Sequence, residues 1–515
     1  LHDYCDNELY QGNPGVIFCS CVAPFALVVL CRKEDKAMHS VQGSRVWPRF
    51  RAKFIGDRAF YRMVFSLVIP VIVQNTVTNF VNLLDNVMVG SLGTTYMSGV
   101  AIANNLLFVF NVSIFGVISG ASIYGAQFAG AKDWESFRQT LRLRLLVAVT
   151  VTAAAVFILT KWPVELLSLY LRGEGSPTDS AAMLNYGMQY LKIMLWGLLP
   201  FALTQSYASA LRDAGETVLP MRATLTAVFA NLILNYILIF GKLGLPALGV
   251  RGAALGTVLS RLAEFAVIAG VAHKKLDRFF FLRGLYRSLR IGGNLAKNIM
   301  LKGMPLFVNE ALWSSGMVTL AQILSTRGLV VVGALNISNT LTNMFGVFFF
   351  SVGTAVAIVT GQALGAGDEE LAKAQVWKLM FFSVTMACIM GTLLLISAGW
   401  ITQIYNTEVE VRNLAAAFMR ALALCMPFQA MANVSYFAMR SGGKILLTMA
   451  FDCIYIWVFC VPYTYALVTF TSLGIETLYP LHLLIHPLKA ILGLVVVNSG
   501  IWAKNLVGGK AEASL

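Results

Sequence analysis

Charge is what this 515-residue chain has least of: only 12% of it is Asp, Glu, Lys or Arg, about half the share of a soluble domain. With 57% hydrophobic residues and a mean hydropathy of +0.71, that scarcity excludes a soluble globular enzyme and a disordered chain. The eight cysteines include no C-x-x-C pair, so neither a disulfide framework nor a zinc site is indicated. No phosphate-binding G-x-x-x-x-G-K-[ST] loop occurs. Gly442-Gly443-Lys444 is followed by Ile445 and lacks the upstream glycine, so ATP hydrolysis by that route is excluded. H-E-x-x-H and a Ser/His/Asp set are also missing, and no enzyme activity is expected.

Long apolar runs are what is present. Twelve lie between residues 63 and 503, continuous rather than alternating, which predicts an all-α polytopic membrane protein and not a barrel. The net charge of +14 fits lysines and arginines gathered in cytoplasmic loops better than a nucleic-acid surface. Alternate connections carry Lys132, Arg138, Arg142 and Arg144, then Arg212 and Arg222, then the basic stretch 273–297, Lys373 and Lys378, and finally Arg440 and Lys444. The opposite connections carry fewer, among them Arg251, Arg327 and Lys489. Both termini are therefore expected in the cytoplasm and the protein in the plasma (inner) membrane.

The first residues read differently. Residues 15–31 form one short apolar run followed by Arg32, Lys33 and Lys36. It reads as a signal-like segment, an extra marginal helix, or an extension ahead of a start at Met38, the last being preferred.

An internal repeat divides the rest. An offset of 235 lays Pro70 on Pro305, Asn104 on Asn339, Gln127 on Gln362 and Gly130-Ala131 on Gly365-Ala366 without a gap. Ala210–Gly215 (ALRDAG) similarly resembles Ala438–Gly443 (AMRSGG). Six helices per copy is even, so the copies share a topology and a substrate cleft is expected between them. The expected division is residues 1–54 as an extension and basic segment, 55–272 as the first lobe, 273–297 as a cytoplasmic linker, 298–505 as the second lobe and 506–515 as a tail. Repetition for structure alone is the less favoured reading.

Polar residues within the apolar runs mark candidate sites. Gln74, Asn75, Thr78, Asn79, Asn82, Asp85 and Asn86 recur at spacings of three and four, on one helix face. Asp85 is either a functional intramembrane carboxylate or a hydrated group at a helix end. Asn231 and Asn235, four apart, are either cation ligands and carboxyl partners or interhelical glue. Glu310, five residues after Pro305, is a candidate proton or cation site, or else a structural acid. Arg261 and Glu264, three apart, are expected to pair with each other, and His482 and His486 to be structural. Arg420 has no evident partner in the sequence.

Taken together, these residues resemble the multidrug and toxic compound extrusion (MATE) family over about residues 55–505. The resemblance is carried by Pro70 with Asp85, by NFVNLLDNVMVG (79–90), GAQFAGAKD (125–133), Asn231-x3-Asn235 with GVRGAA (249–254), and Pro305 with Glu310. It implies twelve helices in two six-helix pseudo-symmetric lobes, with bends at Pro70 and Pro305. It implies a monomeric antiporter that exports small lipophilic cations across the lipid bilayer, without a cofactor, in exchange for Na⁺ or H⁺. Asp85 matches the amino-lobe carboxylate with Asn231 and Asn235 beside it, a place where Na⁺ could bind, and Glu310 matches the carboxy-lobe acid. This chain departs from members that carry an Asp at position 235 or an acid in the tenth helix, which favours the amino-lobe site. The other reading is a lipid or oligosaccharide-phosphate flippase. Its anionic cargo calls for basic residues in the cleft, and helices 1, 2 and 8 contain none. That absence favours cationic cargo.

Overall fold

A computed structural model describes residues 46–170, 177–288, 290–405 and 407–508. The expectations for residues 1–37, Arg172 and Lys510 lie outside them. Twelve long helices dominate: α1 (Arg58–Gly90), α2 (Thr94–Gly130), α3 (Trp134–Lys161), α4 (Pro177–Asp213), α5 (Val218–Phe240), α6 (Val250–Lys274), α7 (Gly293–Ser325), α8 (Leu329–Gly365), α9 (Glu369–Ile401), α10 (Val409–Ser441), α11 (Ile445–Phe470) and α12 (Ile475–Ser499). By length and apolarity alone, ten of them can cross a membrane. The other two, α4 and α7, are as long but carry Arg212, Asp213 and Glu310, the groups that face a polar cleft.

The repeat is visible in the helix bounds. An offset of 235 carries α1 onto α7 and α2 onto α8, end on end. It also carries the α2–α3 turn onto the α8–α9 turn. Asp133 caps α3 by accepting from the Ser136 N–H at 3.0 Å, and Asp368 caps α9 by accepting from the Leu371 N–H at 2.8 Å. Both turns need one left-handed residue. Gly367 supplies it at φ 85°, whereas Lys132 adopts φ 56° at the same point.

Helices α1–α6 pack together as one lobe and α7–α12 as the other. The lobes meet chiefly along α2, which packs against α7 and α8, and where α8 crosses α1. Small residues make that approach possible. A methyl added at Gly120 would strike the Gly303 backbone, one at Gly116 would strike Phe307, and one at Gly361 would strike Ala126. Pro70 and Pro305 both lie inside uninterrupted helices. The helix that breaks its own ladder is α11, which is π-helical over Ala450–Ile454 and Ile456–Cys460.

The basic stretch between α6 and α7 is packed rather than free. Phe281, Leu282 and Leu285 are buried, and Phe281 lies edge-on to Phe137 at 5.2 Å between ring centres. Several charges assigned to loops lie in helices instead. Arg142 and Arg144 are in α3 and buried, Arg212 and Arg440 are in the last turns of α4 and α10, and Lys489 is inside α12. Arg212 and Arg440 sit at helix ends, where the apolar boundary alone did not separate them from the adjoining loop, whereas Arg142, Arg144 and Lys489 lie more than a turn inside their helices.

Candidate functional site

Between the lobes lies a cleft of about 730 Å³, within the ~300–1,000 Å³ usual for drug-sized ligands. Its walls are aromatic, with Phe108, Phe115, Phe201, Trp313 and Phe437. At the end where α2, α4, α8 and α10 terminate, the two lobes meet backbone on backbone at Gly130 and Gly365, and there its lining becomes polar and charged.

Gln74, Asn75 and Thr78 of α1 face this cleft. The half-polar face read from the sequence is thus accounted for in its first half by a cavity. Gln74 donates to Thr224 Oγ1 at 2.9 Å, and Thr224 donates to Glu264 Oε1 at 2.6 Å, so a hydrogen-bonded chain runs from α1 through α5 to a cleft-facing carboxylate on α6. Glu264 does not pair with Arg261 as expected. Arg261 stacks over Phe201 at 4.8 Å and leans on the Gly197 carbonyl. Three residues apart on a helix permits a pair, but here the two side chains diverge toward different neighbours.

Asp85, Asn231 and Asn235 are brought together, away from the residues that line the cleft. Asn235 Nδ2 donates to Asp85 Oδ1 at 2.9 Å. In the orientation that satisfies both of its ends, the Asn231 amide nitrogen lies 2.9 and 3.0 Å from the two Asp85 oxygens. The position of Asn235 is set by Gly256 of α6, where any side chain would collide with the Asn235 amide oxygen. That oxygen is buried without a hydrogen-bond partner. Both amides thus turn their nitrogens to Asp85, and the oxygens this cluster offers a small hard cation are those of the carboxylate itself.

Glu310 lies in the cleft wall at the position that the repeat gives to Asn75. Tyr436 donates to Glu310 Oε1 at 2.8 Å, and the Arg440 guanidinium stands 3.9 Å away. Behind it is a pair that the sequence reading missed: Lys489 donates to Asp452 Oδ1 at 2.7 Å, and Asn309 donates to Asp452 Oδ2 at 3.1 Å. Asp452 sits in the π-helical part of α11, where a strongly apolar sequence hides it. His482 and His486 part company, one meeting Thr464 at 2.8 Å and the other Gln429 at 3.4 Å. Arg420 is exposed on the outer face of α10. No cluster of three or more His, Cys, Asp or Glu that could hold a metal occurs among the described residues.

The cleft floor holds two arginines, Arg212 and Arg440, where the sequence reading expected no basic residue. That expectation was drawn from helices 1, 2 and 8. The arginines come instead from the ends of α4 and α10, at equivalent places in the two repeats (ALRD and AMRS). Arg144, buried behind the cleft lining, donates to Asp213 Oδ2 at 2.5 Å, with Ser122 donating to Asp213 Oδ1 at 2.9 Å.

Two six-helix lobes related by repetition, with a polar cleft between them and carboxylates within the helices beside it, are the architecture of a parallel-repeat membrane transporter. The chain matches the MatE family over residues 70–237 and 305–466, and it belongs to that family. It is 24% identical over 444 residues to the probable multidrug resistance protein NorM of Thermotoga maritima, covering 86% of this chain and 93% of that one. It is 24% identical over 420 residues to the probable multidrug resistance protein YoeA of Bacillus subtilis, covering 81% and 88%. Among solved structures, an outward-facing multidrug resistance MATE family transporter superposes with a TM-score of 0.77 at 19% identity, covering 86% of this chain and 96% of that one. This chain is thus a multi-pass membrane transporter of MATE architecture.

Proposed function

We propose that the protein is a secondary active antiporter that exports small lipophilic organic cations in exchange for Na⁺ or H⁺. The observation that carries this reading is the Asp85–Asn235–Asn231 cluster, a carboxylate held by amides inside one lobe and set apart from the cleft that would hold cargo. Separate places for ion and cargo allow one to bias the lobe arrangement against the other. A ligand shifts such an equilibrium only by its differential affinity for the two states.

The orientation proposed follows loop charge: the end of the cleft where the lobes meet lies beside Lys132, Arg138, Lys373 and Lys378 and faces the cytoplasm, with both termini. The arrangement described here then opens outward, the state that takes up Na⁺ or H⁺ and releases cargo. Dye efflux from proteoliposomes, driven by an imposed Na⁺ gradient and by a pH gradient in separate runs, tests the proposal. Movement that follows either gradient supports it. Gradient-independent lipid scrambling without dye movement overturns it in favour of a flippase.

A further inference from the structure

Three lysines of the carboxy-terminal lobe gather at the seam between the lobes, outside the cleft lining. Lys302 lies in α7, Lys444 in the turn between α10 and α11, and Lys504 shortly after α12. Lys302 Nζ donates to the Gly443 carbonyl at 3.4 Å, next to Lys444 in the chain. A methyl at Gly442 would strike the Trp502 carbonyl and meet the Lys504 nitrogen at 3.4 Å, so that turn and the chain after α12 run side by side. The charges of Lys444 and Lys504 both act on Lys302. None of the three lysines is in an ion pair among the described residues. Lys373, which packs on Gly500 at the end of α12, is by contrast held by Glu370 at 2.7 Å.

Like charges gather at a cost unless an anion joins them. Lys302 is half-buried, with the Tyr124 ring of α2 at 5.2 Å, so solvent screens it only in part. Lys444 and Lys504 are exposed. Three ammonium groups act as point charges, which suit the oxygens of a phosphate; a planar carboxylate is better matched by arginine. The neighbours point to the source of that phosphate. Leu301 and Met304 flank Lys302 in α7, and Leu446 follows Lys444 by two residues. All three are exposed, apolar and outside the cleft lining. Acyl chains can cover such side chains and a free phosphate cannot. Lysines close to the membrane surface attract anionic lipids electrostatically.

We infer that Lys302, Lys444 and Lys504 form a binding site for the phosphate headgroup of an anionic phospholipid. Gln127 of the amino-terminal lobe donates to the carbonyls of Ser441 and Lys504, so a lipid held here lies against the contact between the lobes.

Native mass spectrometry of the purified full chain tests the site, with phosphatidylglycerol and phosphatidylcholine of the same acyl chains offered in equal amounts. Phosphatidylglycerol should be retained about fivefold or more over phosphatidylcholine, the scale of one lysine–lipid contact. Lys302→Gln should bring that ratio to within about twofold. Lys275→Gln, which removes an exposed lysine of the linker, should leave it unchanged. Should Lys302→Gln fail to insert, the double variant Lys444→Gln with Lys504→Gln, at two exposed positions, takes its place. Equal retention of the two lipids by wild type overturns the site. An equal drop in Lys275→Gln and Lys302→Gln also overturns it, because that marks loose attraction to a basic face. Displacement of phosphatidylglycerol by inorganic phosphate, but not by chloride at the same ionic strength, overturns the lipid in favour of free phosphate. None of these measurements uses a gradient or a dye. Their failure therefore leaves the antiporter reading standing, and failure of dye efflux leaves the lipid site standing.

Discussion

Gln127 and Gln362 occupy equivalent places in the two lobes, and each reaches across to the other lobe. Gln127 Nε2 donates to the Ser441 carbonyl at the end of α10 (3.0 Å), and Gln362 Nε2 donates to the Asp213 carbonyl at the end of α4 (2.8 Å). A methyl at Gly130 would collide with the Gln362 carbonyl, and one at Gly365 with the Gln127 carbonyl. The crossing is therefore reciprocal, backbone on backbone, under the cleft floor. The chain's end adds to it: Leu506 N–H donates to Gln127 Oε1 at 2.7 Å, and Gln127 also reaches the Lys504 carbonyl at 3.1 Å.

This crossing should act as the latch that closes one end of the cleft. Gly130→Ala puts a methyl where a carbonyl lies, and the crossing helices must part to admit it. Spin labels at Lys132→Cys and Glu369→Cys, both exposed just beyond the crossing, should report a longer mean separation in the Gly130→Ala background than without it. An unchanged distance distribution would show that the crossing does not hold the lobes together.

The carboxylate at Asp85 is a separate matter, because its partners belong to one lobe. Asp85→Asn keeps size and hydrogen bonding to Asn235 but removes the charge. It should insert normally and reduce gradient-driven efflux to the level of protein-free liposomes. Glu310→Gln should slow efflux without abolishing it, since Tyr436 and Arg440 already occupy that acid. Undiminished efflux by Asp85→Asn would sink the coupling assignment, and the reverse order of severity would move coupling to the other lobe.

Much of this was legible in the sequence. The number and order of the helices, the repeat and its offset followed from apolar runs and matching Pro, Gln and Gly positions, because bilayer thickness and backbone closeness impose them directly, whereas most helices run several residues past the apolar runs. The gathering of Asp85 with Asn231 and Asn235 was also within reach, since polar spacing on two helices pointed there. The charged floor was not. Arg144, Arg212 and Arg440 lie within a turn or a few of basic loops, and a count of loop charge cannot tell a solvated arginine from one turned inward. The signal that could have separated them was the repeated ALRD and AMRS, where an arginine recurs at the same helix end in both copies. Asp452 and Lys489 were hidden differently, as single charges in two apolar helices whose pairing only the tertiary fold supplies.

The Arg144–Asp213 pair should be a stability element rather than a transport one. The Arg144 side chain is fully buried and that of Asp213 is 7% exposed, and the guanidinium also donates to the Ala121 carbonyl at 2.9 Å. Removing one partner leaves a buried charge uncompensated, at a cost of about 3–5 kcal/mol. Arg144→Met should therefore lower the denaturation midpoint in detergent sharply, and Asp213→Ala likewise. The double variant Arg144→Met with Asp213→Leu should recover much of the loss. Additive losses in the double variant would mean the two residues do not act as a pair.

The Asp452–Lys489 pair obeys the same electrostatics but sits where it can touch transport. Asn309 bridges Asp452 to the backbone position beside Glu310, so a change at α11 and α12 is carried to the cleft wall along α7. Lys489→Met alone should destabilise the protein by about 3–5 kcal/mol, and Lys489→Met with Asp452→Asn should restore most of that stability. Efflux measured in the restored double variant then separates two roles. If stability returns and efflux does not, the ion pair is part of the carboxy-lobe response to cargo at Glu310, which is the outcome expected from its location in π-helical, locally irregular backbone. If both return together, the pair is scaffolding, and the coupling of α7 to α11 proposed here is wrong.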